Sequence, residues 1–121
     1  MPPSRFRINW VLVDELAIGP APRAQRHLDR LADQGLRAVL SLCSEAEAPP
    51  PPELNSRFAC ARLVLPDHRA ARLPDPPELE AALQELTQLR SHGPVFVHCV
   101  AAIERSPLVC LAWLVSRHGQ S

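Results

Sequence analysis

Lysine and tyrosine are absent from this sequence, and all thirteen basic residues are arginine. Schiff-base lysine chemistry is therefore excluded. An excess of charge is missing as well: the thirteen arginines meet thirteen acidic residues, for a formal net charge of +0. That balance points to no nucleic-acid or membrane partner. Long hydrophobic runs are lacking. The longest nearly unbroken one, residues 107–115, falls far short of the ~20 residues that span a bilayer. Met1-Pro2-Pro3-Ser4-Arg5-Phe6-Arg7 has no apolar core of the kind that makes a signal peptide. A soluble, cytoplasmic protein is the expectation. Cysteines occur at 43, 60, 99 and 110, without C-x-x-C pairing or zinc-ligand spacing, so neither a metal nor a cofactor is expected. Free thiols fit a reducing compartment, and three of the four read as small buried hydrophobes.

What is present is an ordinary globular composition, 46% apolar and 21% charged over 121 residues. Disorder, collagen and a disulfide scaffold are poor fits to it, and the length allows a single domain, residues 1–121. Residues 9–13 and 16–19 are short apolar runs around Asp14-Glu15 and predict a hairpin or bent strand pair. Ala24, Leu28, Leu31 and Ala32 recur at helical spacing, with Gly35 as the stop. Residues 38–43 read as a buried strand. Residues 45–56 contain Pro49-Pro50-Pro51-Pro52, which suits neither a helix nor a central strand and predicts an exposed, stiff loop. A strand is expected over 58–65. A helix follows, with Asp75 as N-cap, Pro76 in its first turn and Glu78 three positions after the cap. Its core side is Leu79, Leu83, Leu86 and Leu89, and it ends before Gly93-Pro94. Val95-Phe96-Val97-His98 is a short apolar strand, and a last helix starts at Ser106-Pro107. The order predicts an α/β domain: a central, largely parallel sheet flanked by helices.

The stretch with chemistry in it is His98-Cys99-Val100-Ala101-Ala102-Ile103-Glu104-Arg105-Ser106. It lies between a buried strand and a helix start, where open α/β sheets place their ligands. Backbone N–H groups and the positive end of the helix dipole both favour an anion there. The same field favours thiolate over thiol: cysteines in such settings titrate at ~3.5–7.5. Arg105 follows Cys99 by six residues and can present a bidentate fork to phosphate oxygens, which a point-charge ammonium cannot do. With no lysine in the chain, Arg105 is the one residue of this loop able to clamp a phosphate.

His98-Cys99, five residues, then Arg105-Ser106 resembles the signature of the cysteine-dependent protein tyrosine phosphatases. The context is similar to the small dual-specificity branch, especially its compact prokaryotic members. The resemblance extends over Asn9-Trp10, residues 16–19 and 38–43, and Leu65-Pro66-Asp67-His68. It implies that Cys99 attacks phosphorus to form a cysteinyl-phosphate. It further implies that Arg105 and the N–H groups of Val100, Ala101, Ala102, Ile103 and Glu104 hold the equatorial oxygens. Ser106 would hydrogen-bond the sulfur as leaving group, and His98 would orient the loop without acting as a base. The family's general acid is a loop aspartate. Asp67 occupies the matching position, while Asp75 has a sufficient explanation as a helix cap. Arg69 and Arg72 either attract anionic substrates or are solvated surface residues. Cys43 is implied as a redox partner able to form a reversible disulfide with an oxidised Cys99. The implied activity is hydrolysis of phosphotyrosine and phosphoserine/threonine, on a phosphorylated protein or a small phosphomonoester.

Two departures qualify this. Ala102 stands where the family pattern has glycine, and a Cβ there costs ~1–2 kcal/mol in a left-handed conformation. Glu104 adds negative charge beside an anion site. Ala102 keeps open a catalytically weak, phosphate-binding pseudophosphatase. A rhodanese-like sulfurtransferase is the other alternative, although its loop usually has one residue fewer between cysteine and arginine. The family's signature helix is followed by further helices. Here the chain stops at His118-Gly119-Gln120-Ser121, so either a shortened chain or a minimal variant open to self-association is expected.

Overall fold

The computed structural model describes residues 6–66, 72–100 and 105–118. In chain order the elements are β1 (Asn9–Leu12), β2 (Leu16–Gly19), α1 (Gln25–Asp33), β3 (Ala38–Ser41), α2 (Leu54–Arg57), β4 (Ala59–Arg62), α3 (Pro76–Arg90), β5 (Val95–His98) and α4 (Arg105–Trp113), which runs into a π-helical turn, Leu114–His118. The strands form one sheet in the order β1-β2-β5-β3-β4. Only the β1–β2 hairpin is antiparallel, and β5 pairs in parallel with β2 on one side and β3 on the other. The signature strand is thus the middle of the sheet; its own Val95 and Val97, and Leu16 and Leu40 on the strands beside it, are fully buried. Complete burial of such a side chain is worth ~1.5–3 kcal/mol, which makes this strand a rigid platform for whatever its end carries.

Local sequence explains the ends of the helices. Gly35 adopts φ 90 after α1, and its N–H and that of Leu36 bond back to Ala32 and Leu31, a glycine-closed C-terminus. Asp75 caps α3 by accepting the Glu78 N–H at 2.9 Å, and the Glu78 carboxylate accepts the Asp75 N–H at 2.9 Å. Gly19 is required by space: a Cβ there would lie 2.1 Å from the Arg7 carbonyl oxygen. One apolar layer joins the sheet to α3 and α4, and another packs Phe6, Leu28, Leu31 and Phe96 on the α1 side. Among the described residues, no helix is long and apolar enough to cross a membrane.

Three details correct the sequence reading. Residues 45–56 are not exposed throughout: Ala48, Pro51 and Leu54 are buried, and the stretch ends in the single turn α2. Proline has no N–H to leave unsatisfied, so this segment can fold inward at little polar cost. β3 and β4 are shorter than the runs 38–43 and 58–65. The chains nevertheless stay paired beyond them through Leu63 N–H to Ser41 O (2.9 Å) and Leu65 N–H to Leu42 O (3.1 Å). Cys60 is exposed, so of the three cysteines read as buried hydrophobes only Cys43 and Cys110 are buried.

Candidate active site

The sheet delivers Cys99 to the carboxyl end of its central strand, where the residue is 3% exposed. The loop begins at Val100, whose carbonyl accepts the Ala21 N–H at 3.1 Å and whose side chain packs against Ala21, Cys43 and Ala48. Arg105 and Ser106 lie in the first turn of α4, and the Ser106 hydroxyl donates to Cys99 Sγ at 3.0 Å. A hydroxyl donor and a helix N-terminus both favour negative charge on that sulfur. Ala101, Ala102, Ile103 and Glu104 lie outside the described residues, as do Asp67, His68 and Arg69.

Arg105 is 4% exposed and held on one side only. Nη2 donates to Glu47 Oε1 at 2.9 Å. Nη1 donates to Glu47 Oε2 (3.3 Å), the Leu42 carbonyl (3.2 Å) and the Leu65 carbonyl (3.3 Å). Hydrogen bonds from Arg105 hold the Glu47 carboxyl below the usual carboxylate range. Nε is buried and has no hydrogen-bond partner among the described residues. Of the five guanidinium hydrogens, those on Nε and the second on Nη2 form an edge pointing away from Glu47, a pair with the spacing of two phosphate oxygens.

His98 is buried beneath the loop. Nδ1 lies 2.9 Å from the Cys99 carbonyl oxygen and Nε2 lies 2.7 Å from Ser41 Oγ. Burial pushes its pKa down to about 4, with the Cys99 carbonyl acting in the opposite direction. The folded protein therefore takes up this proton later than the unfolded chain, whose histidine titrates near 6.5. Stability contributed by the neutral ring is complete above pH 6.5 and is lost as pH falls towards 4. Two and a half units correspond to ~3 kcal/mol. Unfolding free energies from urea titrations run between pH 7 and pH 4 are expected to fall by that amount. A His98→Asn protein should lack this segment of the curve; an equally steep fall in it would assign the effect to other groups.

The remaining sequence candidates divide clearly. Cys43 is buried at the end of β3 with its pKa raised by burial, and it and Cys99 are free thiols. Cys110 is pushed up to about 12 by burial and by the neighbouring Cys99. Arg72 is committed to both Glu78 oxygens at 2.8 Å and 2.8 Å, next to the α3 cap. Trp113 is buried with its indole N–H on Glu15 (2.8 Å), and Trp10 donates to Gln34 (3.1 Å); neither touches the Cys99 loop through these bonds. Sequence reasoning missed Glu47 and Ser41. Glu47 carries one local signal, a Ser44–Glu47 turn in which Ser44 N–H donates to the carboxylate at 2.9 Å. Nothing in the sequence links it to Arg105, 58 residues away.

No protein-family model matches the chain. Solved structures do. Tk-PTP in a glycine-to-alanine mutant form superposes with a TM-score of 0.77 at 27% identity, over 94% of this chain and 74% of that one. PTPMT1 in complex with PI(5)P gives 0.72 at 22% identity, covering 88% and 71%. The human tyrosine phosphatase-like serine/threonine/tyrosine-interacting protein gives 0.71 at 21% identity, covering 94% and 76%.

Proposed function

By fold this chain is a member of the cysteine-dependent protein tyrosine and dual-specificity phosphatase superfamily, and from that premise we propose that it hydrolyses phosphomonoesters through a cysteinyl-phosphate intermediate. The observation that carries the reading is the buried Cys99 sulfur receiving the Ser106 hydroxyl at 3.0 Å, one residue from an arginine whose buried Nε has no partner among the described residues.

Cys99 Sγ attacks phosphorus in line and the ester oxygen leaves with a proton from Asp67. Arg105 and the N–H groups of residues 100–105 hold the three equatorial oxygens as charge spreads over them. In the second step Asp67 takes a proton from water, water attacks phosphorus, and the sulfur leaves as a thiolate stabilised by Ser106. Protein phosphotyrosine and phosphoserine/threonine are the proposed substrates. Only thirteen residues separate β4 from α3, and so short a segment favours a shallow pocket that admits both. A reducing, cytoplasmic setting is part of the proposal, in keeping with four cysteines spaced without C-x-x-C pairing.

The test is incubation with an aryl phosphate, followed by acid quench and peptide mapping. Phosphate release with phosphate trapped on the Cys99 peptide is the expected result. Tight phosphate binding without turnover would support a pseudophosphatase instead, as Ala102 allows. Consumption of thiosulfate without phosphatase activity would replace the proposal with sulfur transfer.

A further inference from the structure

We infer that Ser41 is a positioning residue for the nucleophile: its hydroxyl braces the His98 ring at Nε2, and the ring so held keeps its Nδ1–H on the Cys99 carbonyl and fixes the start of the phosphate-binding loop. The inference rests on the reading of Cys99 as the nucleophile. It starts from register: Ser41 lies directly opposite His98 across β3 and β5, and opposite Arg62 across β3 and β4. The three side chains therefore form one row at the carboxyl ends of the strands, ending next to Cys99.

The row has one self-consistent proton arrangement. A carbonyl oxygen can only accept, so His98 Nδ1, 2.9 Å from the Cys99 carbonyl, carries the hydrogen. In a neutral ring Nε2 is then a lone pair, and Ser41 Oγ at 2.7 Å must donate to it. Arg62 is engaged with the Cys43 carbonyl. Removing the serine hydroxyl leaves a buried, unsatisfied Nε2. The ring's alternative, protonation at Nε2 with a bare Nδ1, turns a lone pair towards the Cys99 carbonyl and breaks the bond that fixes the loop. A doubly protonated ring is opposed by burial and by Arg62, Arg105 and Arg23, the charged groups acting on it. Among the described residues, Cys43, Cys110 and Arg105 act electrostatically with the Cys99 sulfur, and Ser41 changes none of them directly. Ser41 is 3% exposed, and among the described residues its buried hydroxyl has its hydrogen bond with His98.

The experiment compares wild type, Ser41→Ala and Ser41→Thr by three readouts. Imidazole nitrogen NMR reports the His98 tautomer, iodoacetamide labelling of the Cys99 peptide against pH reports its thiolate, and aryl-phosphate turnover gives kcat and KM. Wild type and Ser41→Thr are expected to show the Nδ1–H tautomer. Ser41→Ala is expected to keep the Nδ1–H tautomer with an Nε2 resonance shifted to that of an unbonded nitrogen, a Cys99 labelling midpoint raised by about half to one unit, and kcat lowered by about three- to tenfold at unchanged KM. A folded Ser41→Ala protein with the wild-type Nε2 resonance and labelling midpoint would overturn the inference. Should Ser41→Ala not fold, Ser41→Cys, of similar size and a weaker donor, decides by the same two readouts. If no variant and not even wild type hydrolyses phosphate, the labelling and NMR shifts still decide the role of Ser41, while the phosphatase reading falls separately.

Discussion

Arg105→Lys is expected to lower kcat/KM for an aryl phosphate by about 10²–10³-fold in a protein that remains folded. The charge is conserved, so the loss measures geometry. Arg105 divides its donors between two tasks. Nη1 and one Nη2 hydrogen are spent on Glu47 and on the carbonyls of Leu42 and Leu65, while Nε has no partner among the described residues. An ammonium has three donors radiating from a single atom. In a site this buried, Glu47 and the two carbonyls would take them, leaving none aimed at the transition state. Losing one preorganised oxyanion donor costs about 10²–10³ in kcat, which sets the scale. Glu47→Gln is the companion: it keeps a hydrogen-bond acceptor but removes the charge that fixes the fork, and about a tenfold rise in KM is expected. Steady-state kinetics with thermal melts of both variants check this. Full activity in Arg105→Lys would show that the fork does not bind the substrate phosphate.

The contrast between Arg105 and Glu47 shows what the sequence could reveal. Cys99 and Arg105 were legible because their spacing is local and each is set by an adjacent element, the apolar run ending at His98 and the helix beginning beyond it. The α3 start was legible for the same reason, since Asp75, Pro76 and Glu78 satisfy one another within a single turn. Glu47 and Ser41 act across the sheet. Ser41 meets His98 only because β3 and β5 pair in parallel and in that register, which no local pattern specifies. Glu47 sits before four prolines in a segment that reads as solvent-facing, because prolines exclude regular structure while saying nothing about burial. Its inward turn depends on Ala48, Pro51 and Leu54 being covered, a property of the finished fold. The antiparallel hairpin and the mostly parallel remainder of the sheet followed from element order. The true ends of β3 and β4 did not, since apolar runs continue past the last ladder pair to line the site.

Asp67→Asn is expected to slow turnover of an alkyl phosphate by about 10²–10⁴-fold while substrate affinity stays within a few-fold, the measure of a lost general acid. Two structural facts favour Asp67 over Asp75. The segment leading towards Asp67 is tied to Arg105 itself, with the Leu65 carbonyl on Arg105 Nη1 at 3.3 Å and Leu65 fully enclosed. Asp75 is already occupied: its carboxylate caps α3 through the Glu78 N–H at 2.9 Å, and Glu78 is pinned in turn by both nitrogens of Arg72. Asparagine caps a helix about as well as aspartate, so Asp75→Asn should change neither melting temperature nor turnover appreciably. Leaving-group dependence sharpens the comparison. An alkoxide needs a full proton and a nitrophenolate almost none, so the Asp67→Asn defect should shrink towards a few-fold as the leaving group becomes more acidic. The wild-type rate should also fall as the acid deprotonates at high pH, whereas the Asp67→Asn profile should be flat on that limb. A large defect in Asp75→Asn beside an active Asp67→Asn would move the general acid to the α3 cap. A defect in Asp67→Asn that ignores the leaving group would assign that residue to substrate positioning instead.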